Sequence, residues 1–199
     1  MRYAAIKQTD TVNGEGFAVS LWTQGCPFRC KGCWNDGTWD FNGGNEWSQE
    51  LEDELIELCK NEYKKCLSIL GGEPLCDQNF DEVLKIAKRF KEELPEKKLF
   101  VWTGYTYDEV LSDRKKEILE YTDVIVTGRF ILNERDLNLY LRGSRNQEVR
   151  RKKENGEFVI DHSKDRKPTV IKKEEWEINL ILLLILLVDK FLKDIWLYL

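Results

Sequence analysis

The chain has 199 residues, with 31 Lys and Arg against 36 Asp and Glu, for a formal net charge of −5. One domain plus an appendage is expected at this length, and about 70% of the unfolded surface is hidden on folding, enough for a core without disulfide staples. The acidic balance excludes a general nucleic-acid binder, which needs excess Lys and Arg to displace counterions, and a lone histidine, His162, excludes sites built on paired histidines.

Met1-Arg2-Tyr3 runs directly into strand-like Ala4-Ala5-Ile6 with no apolar signal-peptide region. A cytoplasmic location is therefore expected. Residues 17–23 alternate as a strand and end at Gly25. Leu51, Leu55, Ile56 and Leu58 predict a helix over 48–61. Residues 66–70 form a short strand stopped by Gly71-Gly72. Phe80, Val83, Leu84, Ile86, Ala87, Phe90 and Leu94 share one face of a helix over 77–94, closed by Pro95. Residues 99–103 are the next strand, 108–121 a helix in two pieces around Ser112-Asp113, and 123–127 a further strand ending at Gly128.

Strands alternating with helices of this length call for a mainly parallel α/β sheet. Such sheets gather ligands beyond the carboxyl ends of their strands. The cysteine-rich loop at 26–33, Gly71-Gly72-Glu73-Pro74, Gly104-Tyr105 and Gly128-Arg129 each follow a strand, so all four are expected on one rim.

The character changes near residue 150. A core over 1–150 is expected, then a charged extension over 151–173 with a hairpin-turn signal at Asn155-Gly156, then an apolar helix over 174–199. The uninterrupted apolar run from Leu180 to Val188 is too short for a bilayer, which needs roughly 20 residues. Extending it adds Asp189 and Lys190 at about 2.5–3.5 kcal/mol each, against roughly 0.3–0.6 returned per aliphatic residue. No membrane span is expected.

Cys26, Cys30 and Cys33 form a Cx3Cx2C pattern, while Cys59, Cys66 and Cys76 are scattered. Three close thiolates can hold three irons of a cubane and leave the fourth open. A zinc site completed by Cys76, Cys59 or His162, or a redox disulfide, are the alternatives on spacing alone. Cys59 and Cys66 are expected as core residues, and His162 at the surface.

The Cx3Cx2C loop followed by Gly71-Gly72-Glu73-Pro74 resembles the radical S-adenosylmethionine superfamily. Val12-Asn13-Gly14-Glu15-Gly16, Cys33-Trp34-Asn35, Thr38-Trp39, Trp102-Thr103-Gly104-Tyr105 and Arg142-Gly143-Ser144-Arg145-Asn146-Gln147 narrow the resemblance. Together they look like the family of anaerobic ribonucleoside-triphosphate reductase activating proteins, over about residues 3–150. The resemblance implies a partial (β/α) barrel in which Cys26, Cys30 and Cys33 are the catalytic metal ligands of a 4Fe-4S cluster. Gly32, Cys33, Trp34, Gly71, Gly72 and Glu73 would bind S-adenosylmethionine. The implied activity is an oxidoreductase step: a 5′-deoxyadenosyl radical raises a glycyl radical on the large subunit of the reductase, with an electron donor such as a flavodoxin.

Three positions depart from the pattern. Gly32 stands where most of the superfamily has an aromatic, Glu15 where the family usually has Pro, and the last fifty or so residues exceed the family length. Gly14-Glu15-Gly16 is also similar to 7-carboxy-7-deazaguanine synthases, which keeps a radical ring contraction open as a second enzymatic reading. A non-catalytic metal-binding module is the third. Glu73 is read either as a cofactor contact or as a cap for the next segment, and Trp34, Trp39 and Trp47 either as a stacking surface near the cluster or, in the preferred reading, as core filling.

Overall fold

The computed structural model describes residues 1–166; the apolar helix expected over 174–199, and the end of the charged segment before it, lie outside the described residues. The strands are β1 (Arg2–Asp10), β2 (Phe17–Thr23), β3 (Asn45–Glu46), β4 (Lys64–Gly71), β5 (Lys98–Trp102), β6 (Val124–Thr127), β7 (Glu148–Lys152) and β8 (Phe158–Ile160). They make one sheet in the order β3-β1-β2-β4-β5-β6-β7-β8. Strands β2, β4, β5 and β6 are mutually parallel. The flanking pairs β1–β2, β1–β3, β6–β7 and β7–β8 are antiparallel. The expected mainly parallel arrangement is thus the centre of a mixed sheet.

The crossovers carry the helices α1 (Gln49–Lys60), α2 (Asp77–Glu93), α3 (Tyr107–Leu111) and α4 (Ile118–Tyr121). Ser48 starts α1 by accepting the Leu51 amide, satisfying one of the donors a helix start leaves open. Thr106 and Glu109 form a reciprocal capping box on α3. The break expected near Ser112-Asp113 falls between α3 and a short 3-10 turn, Arg114–Glu117, that leads into α4.

Period-two alternation sends Val19, Leu21, Leu67, Ile69, Leu99 and Val101 to the helix-covered face. There they bury completely against Leu55 and Ile56 of α1 and Val83, Ile86 and Phe90 of α2. Each such side chain contributes about 1.5–3 kcal/mol. Cys59 and Cys66 are buried, as expected, on opposite faces. Glu52 of α1, fully buried, is paired with Lys85 and Arg89 of α2 at 3.0 Å each, the pairing a buried charge requires. The other face carries Ala18, Cys66, Phe100, Val124, Val126 and Val149, with Trp102 and Leu141 packed on them.

The boundary expected at 150 falls inside β7, and the first part of the expected charged extension continues the sheet as a hairpin turning at Asn155-Gly156. Charge does not keep this segment off the sheet because its charges have partners. Arg151 reaches Asp161 and Glu15, and Arg142 reaches Asp165. His162 is half-buried rather than on the surface, and its Nε2 accepts the Val149 amide of β7 at 3.3 Å.

That contact makes a pH prediction. Burial, then the nearby Arg142, hold the His162 pKa below its ordinary value of 6.5. The unfolded chain therefore binds the proton first, and stability falls as pH drops through about 6.5. Burial pushes Glu73 the opposite way, to about 7, against hydrogen bonds from Thr103, Gly104 and Leu75; this makes the folded state gain stability as pH falls over the same range. Wild type and His162→Gln share the Glu73 effect, so their difference isolates the histidine. Urea denaturation at pH 7.5 and 5.5 is expected to show wild type losing ground relative to His162→Gln at the lower pH. Parallel curves would refute the assignment.

Candidate functional site

The parallel strands bring their carboxyl ends to one edge, with Thr23 beside Gly71 and Trp102 beside Val126 in register. All four expected strand-end loops meet there around a cavity of about 570 Å³. Cys26, Cys30, Cys33 and Trp34 line it from the loop after β2, Gly71, Gly72 and Glu73 from the end of β4, Thr103 and Gly104 from β5, and Gly128 and Arg129 from β6. Gly32 lies in the same cysteine loop without lining the cavity. Arg142, Gly143 and Gln147 close the far side.

Local backbone geometry shapes the cysteine loop. The Cys33 amide donates to the Cys30 carbonyl at 3.0 Å, and Gly32 between them turns with φ +76, where an L side chain is strained. A Cβ there would also stand 3.0 Å from Leu132 Cδ1, so a larger side chain at this position requires Leu132 to move aside.

All six cysteines are free thiols. Burial raises the Cys26 pKa, against the Phe28 and Arg29 amides that face its sulfur. Burial likewise raises Cys30, against the Phe130 amide. Cys33 Sγ accepts the Asn35 amide at 3.4 Å. Backbone N–H groups aimed at sulfur stabilise thiolate and tune the metals it binds. Among the described residues, no group of three or more His, Cys, Asp or Glu is gathered around a single-ion site, as a structural zinc would need. Three thiols spread along one cavity-lining loop, with backbone amides on their sulfurs, fit the donor set of a cubane cluster, whose ligands sit on separate irons.

Gly71 and Gly72 are pressed against the end of β2. Gly71 has φ +109, and a Cβ on it would lie 2.8 Å from the Thr23 backbone; on Gly72 it would lie 2.4 Å from the Gly25 carbonyl oxygen. Only glycine permits this approach, which leaves bare backbone facing the cavity.

Several sequence expectations change at the site. Trp34 is not core filling: it is 70% exposed, with the Arg135 guanidinium 4.8 Å from its ring centre. Trp47 packs edge-on against Tyr3 at 5.6 Å, away from this cavity. Cys76 is buried and does not line the cavity. Glu15 accepts hydrogen bonds from Lys98, Arg151 and Lys164; burial opposes its ionisation, yet these cations hold its carboxyl pKa at about 2. It is a structural tie outside the cavity. Arg142 to Gln147 is an ordering element, with Gln147 Oε1 accepting the Gly143 and Ser144 amides while its Nε2 reaches the Gly128 carbonyl. Sequence reasoning missed Phe28, whose ring lies against Gly104, and Asn79, whose amide reaches the Gln24 and Glu73 carbonyls. The apolar residue between two cysteines was a usable signal for Phe28. Asn79, on a helix face, had none.

A mixed α/β sheet with a three-cysteine loop at its carboxyl edge is the frame of a single-cluster iron–sulfur protein, and the family model for 4Fe-4S single cluster domains matches residues 12–150. The chain is also 40% identical over 153 residues to the anaerobic ribonucleoside-triphosphate reductase-activating protein of Vibrio cholerae, covering 76% of this chain and 98% of that one. Its namesakes from Haemophilus influenzae and Escherichia coli are each 37% identical, over 153 and 151 residues, covering 76% and 75% of this chain and 98% and 97% of theirs. The chain belongs to the family of anaerobic ribonucleoside-triphosphate reductase-activating proteins. No helix among the described residues is long and apolar enough to cross a membrane.

Proposed function

We propose that this chain activates an anaerobic ribonucleoside-triphosphate reductase by raising a glycyl radical on its large subunit. The observation that carries the reading is the meeting of three thiols and the Gly71-Gly72 backbone in one cavity, of a volume suited to a nucleoside-sized ligand. Cys26, Cys30 and Cys33 would ligate a 4Fe-4S cluster. Held there, the cluster and S-adenosylmethionine would supply one-electron radical chemistry, the electron coming from an external donor, able to take a hydrogen atom from the partner's glycine.

The chain's own share is binding and orientation. Gly71 and Gly72 expose main-chain groups for the methionine end, while Cys33 and Trp34 would border the adenine side, with Gly32 turning the loop that carries them. Trp22, Phe28, Leu70 and Trp102 give the cavity an apolar wall that would help exclude water from a bound ligand. No side chain is required as a general base, in agreement with the placement of His162 just beyond β8, where its Nε2 accepts the Val149 amide of β7. We read β2 to β6 as part of an incomplete radical-type (β/α) barrel, with residues 1–150 as its catalytic core. We assign the protein to the cytoplasm, with a flavodoxin-like electron donor.

The test is anaerobic reconstitution with iron and sulfide, reduction, and EPR with and without S-adenosylmethionine, followed by incubation with the reductase. The expected result is a 4Fe-4S signal that shifts with the cofactor, then a glycyl radical on the partner. A cluster signal indifferent to the cofactor would overturn the mechanism, and zinc without acid-labile sulfide would return the cysteines to a structural site.

A further inference from the structure

Glu73 is 1% exposed, and its carboxylate is engaged on both oxygens. Oε1 accepts the Leu75 amide at 2.9 Å and the Thr103 hydroxyl at 2.7 Å, and Oε2 accepts the Gly104 amide at 2.7 Å. Its backbone is held as firmly. The Glu73 amide donates to the Gly25 carbonyl at 2.8 Å, and the Gly72 amide to the Thr23 carbonyl at 2.9 Å. Asn79 Nδ2 bridges the Gln24 and Glu73 carbonyls at 2.9 and 3.0 Å. One residue therefore joins the ends of β2, β4 and β5.

The Gly104 bond has a further consequence. A Cβ on Gly104 would stand 2.4 Å from the Phe28 ring, so that ring rests directly on the Gly104 backbone, and it also meets Tyr105 edge-on at 4.9 Å. Phe28 lies between Cys26 and Cys30. The carboxylate that fixes Gly104 thus fixes the seat of the cysteine loop, while its own main chain continues the Gly71-Gly72 segment. Glu73 lines the cavity, but at 1% exposure and with three donors already on its carboxylate it is a poor ligand for anything entering there, and a good tie between loops.

We propose that Glu73 is a positioning residue rather than a cofactor contact: its carboxylate ties the end of β5 to the end of β4, holding the Gly71-Gly72 backbone and the Phe28 seat of the cysteine loop in mutual register. The ligand so served, S-adenosylmethionine, is that of the proposed function, on which the inference rests for the ligand's identity only. The tie itself belongs to the protein without its cofactors.

Thr103 separates the two roles, because Thr103→Val removes a donor from Glu73 while leaving the carboxylate in place. In the reconstituted protein, S-adenosylmethionine affinity is read from the cofactor-dependent change in the cluster EPR signal. In the cluster-free protein, hydrogen exchange is read at the Gly104 and Leu75 amides. Thr103→Val is expected to bind the cofactor about tenfold more weakly and to exchange faster at Gly104, with Thr103→Ser, which keeps the hydroxyl, near wild type. Glu73→Gln is expected to lose about ten- to a hundredfold, and the double variant less than the product of the singles. Wild-type affinity in Thr103→Val overturns the inference, above all if Glu73→Gln alone loses binding, the pattern of a direct contact. If Glu73→Gln does not fold, the Val and Ser variants decide by themselves. A wild-type protein that binds no S-adenosylmethionine would sink the proposed function instead, and unchanged exchange at Gly104 in Thr103→Val would then still overturn the tie.

Discussion

Changing Cys30 to alanine is expected to abolish both the iron–sulfur absorbance and reductase activation, while the midpoint of thermal unfolding of the cluster-free protein stays unchanged. Cys30 is half-buried on a loop and belongs to neither hydrophobic cluster, so its removal takes away a thiol without opening a core cavity. An iron deprived of one protein thiolate has no replacement at hand, because Cys76 is buried away from the cavity wall. The contrast is with Cys59→Ala and Cys66→Ala. Both sites are 1% exposed in the core, and shortening them is expected to cost about 1–2 kcal/mol of stability with iron content intact. Iron and sulfide per chain, visible absorbance and thermal midpoints of the three variants check the set. Full iron retention in Cys30→Ala would remove Cys30 from the ligand set.

Gly72→Ala is the second large effect, and it acts through backbone rather than chemistry. The added Cβ would meet the Gly25 carbonyl oxygen at 2.4 Å and the Gly25 carbonyl carbon at 3.0 Å. Neither is the movable tip of a side chain, so the end of β4 must shift away from β2. That shift breaks the Gly72–Thr23 and Glu73–Gly25 hydrogen bonds, which position the rim. Overpacking of this kind costs about 1–3 kcal/mol, and the same displacement is expected to weaken S-adenosylmethionine binding by about a hundredfold. Gly37→Ala is the control, since nothing lies within 4 Å of its Cβ position, and it is expected to behave as wild type. Denaturation midpoints and the cofactor-dependent EPR shift distinguish the two. Wild-type affinity in Gly72→Ala would show that this backbone is not part of the binding surface.

The two predictions differ in how visible their residues are in the sequence. The cysteine triplet and the Gly-Gly turn are short-range patterns, legible because a loop after a strand needs only its own spacing to be recognised. The helices over 49–60 and 77–93 were legible for the same reason, since their apolar spacing repeats within the element. The strands β7 and β8 were not. The residues of β7 are largely charged and β8 is only three residues long, and it is Asp161 beyond the hairpin and Glu15 across the fold that let Arg151 enter the sheet. Trp34 was misjudged because residue type favours burial of tryptophan, whereas its place on a tight loop at the rim holds it outward.

The sequence by itself determined the alternation of β2, β4, β5 and β6 with their helices, the four strand-end loops and the three thiols placed to meet there. These follow from periodicity, turn residues and the rule that parallel strands end at one edge. Only the tertiary structure decided that Glu73 spends its carboxylate on Thr103, Gly104 and Leu75, that Glu15 is spent on Lys98, Arg151 and Lys164, and that Phe28 rests on Gly104. A side chain's chemistry is set by its type, but its role is set by which groups it meets. Apart from Leu75, which is close to Glu73 in the chain, the partners of these residues lie some 30 to 150 positions away, beyond the reach of any local pattern.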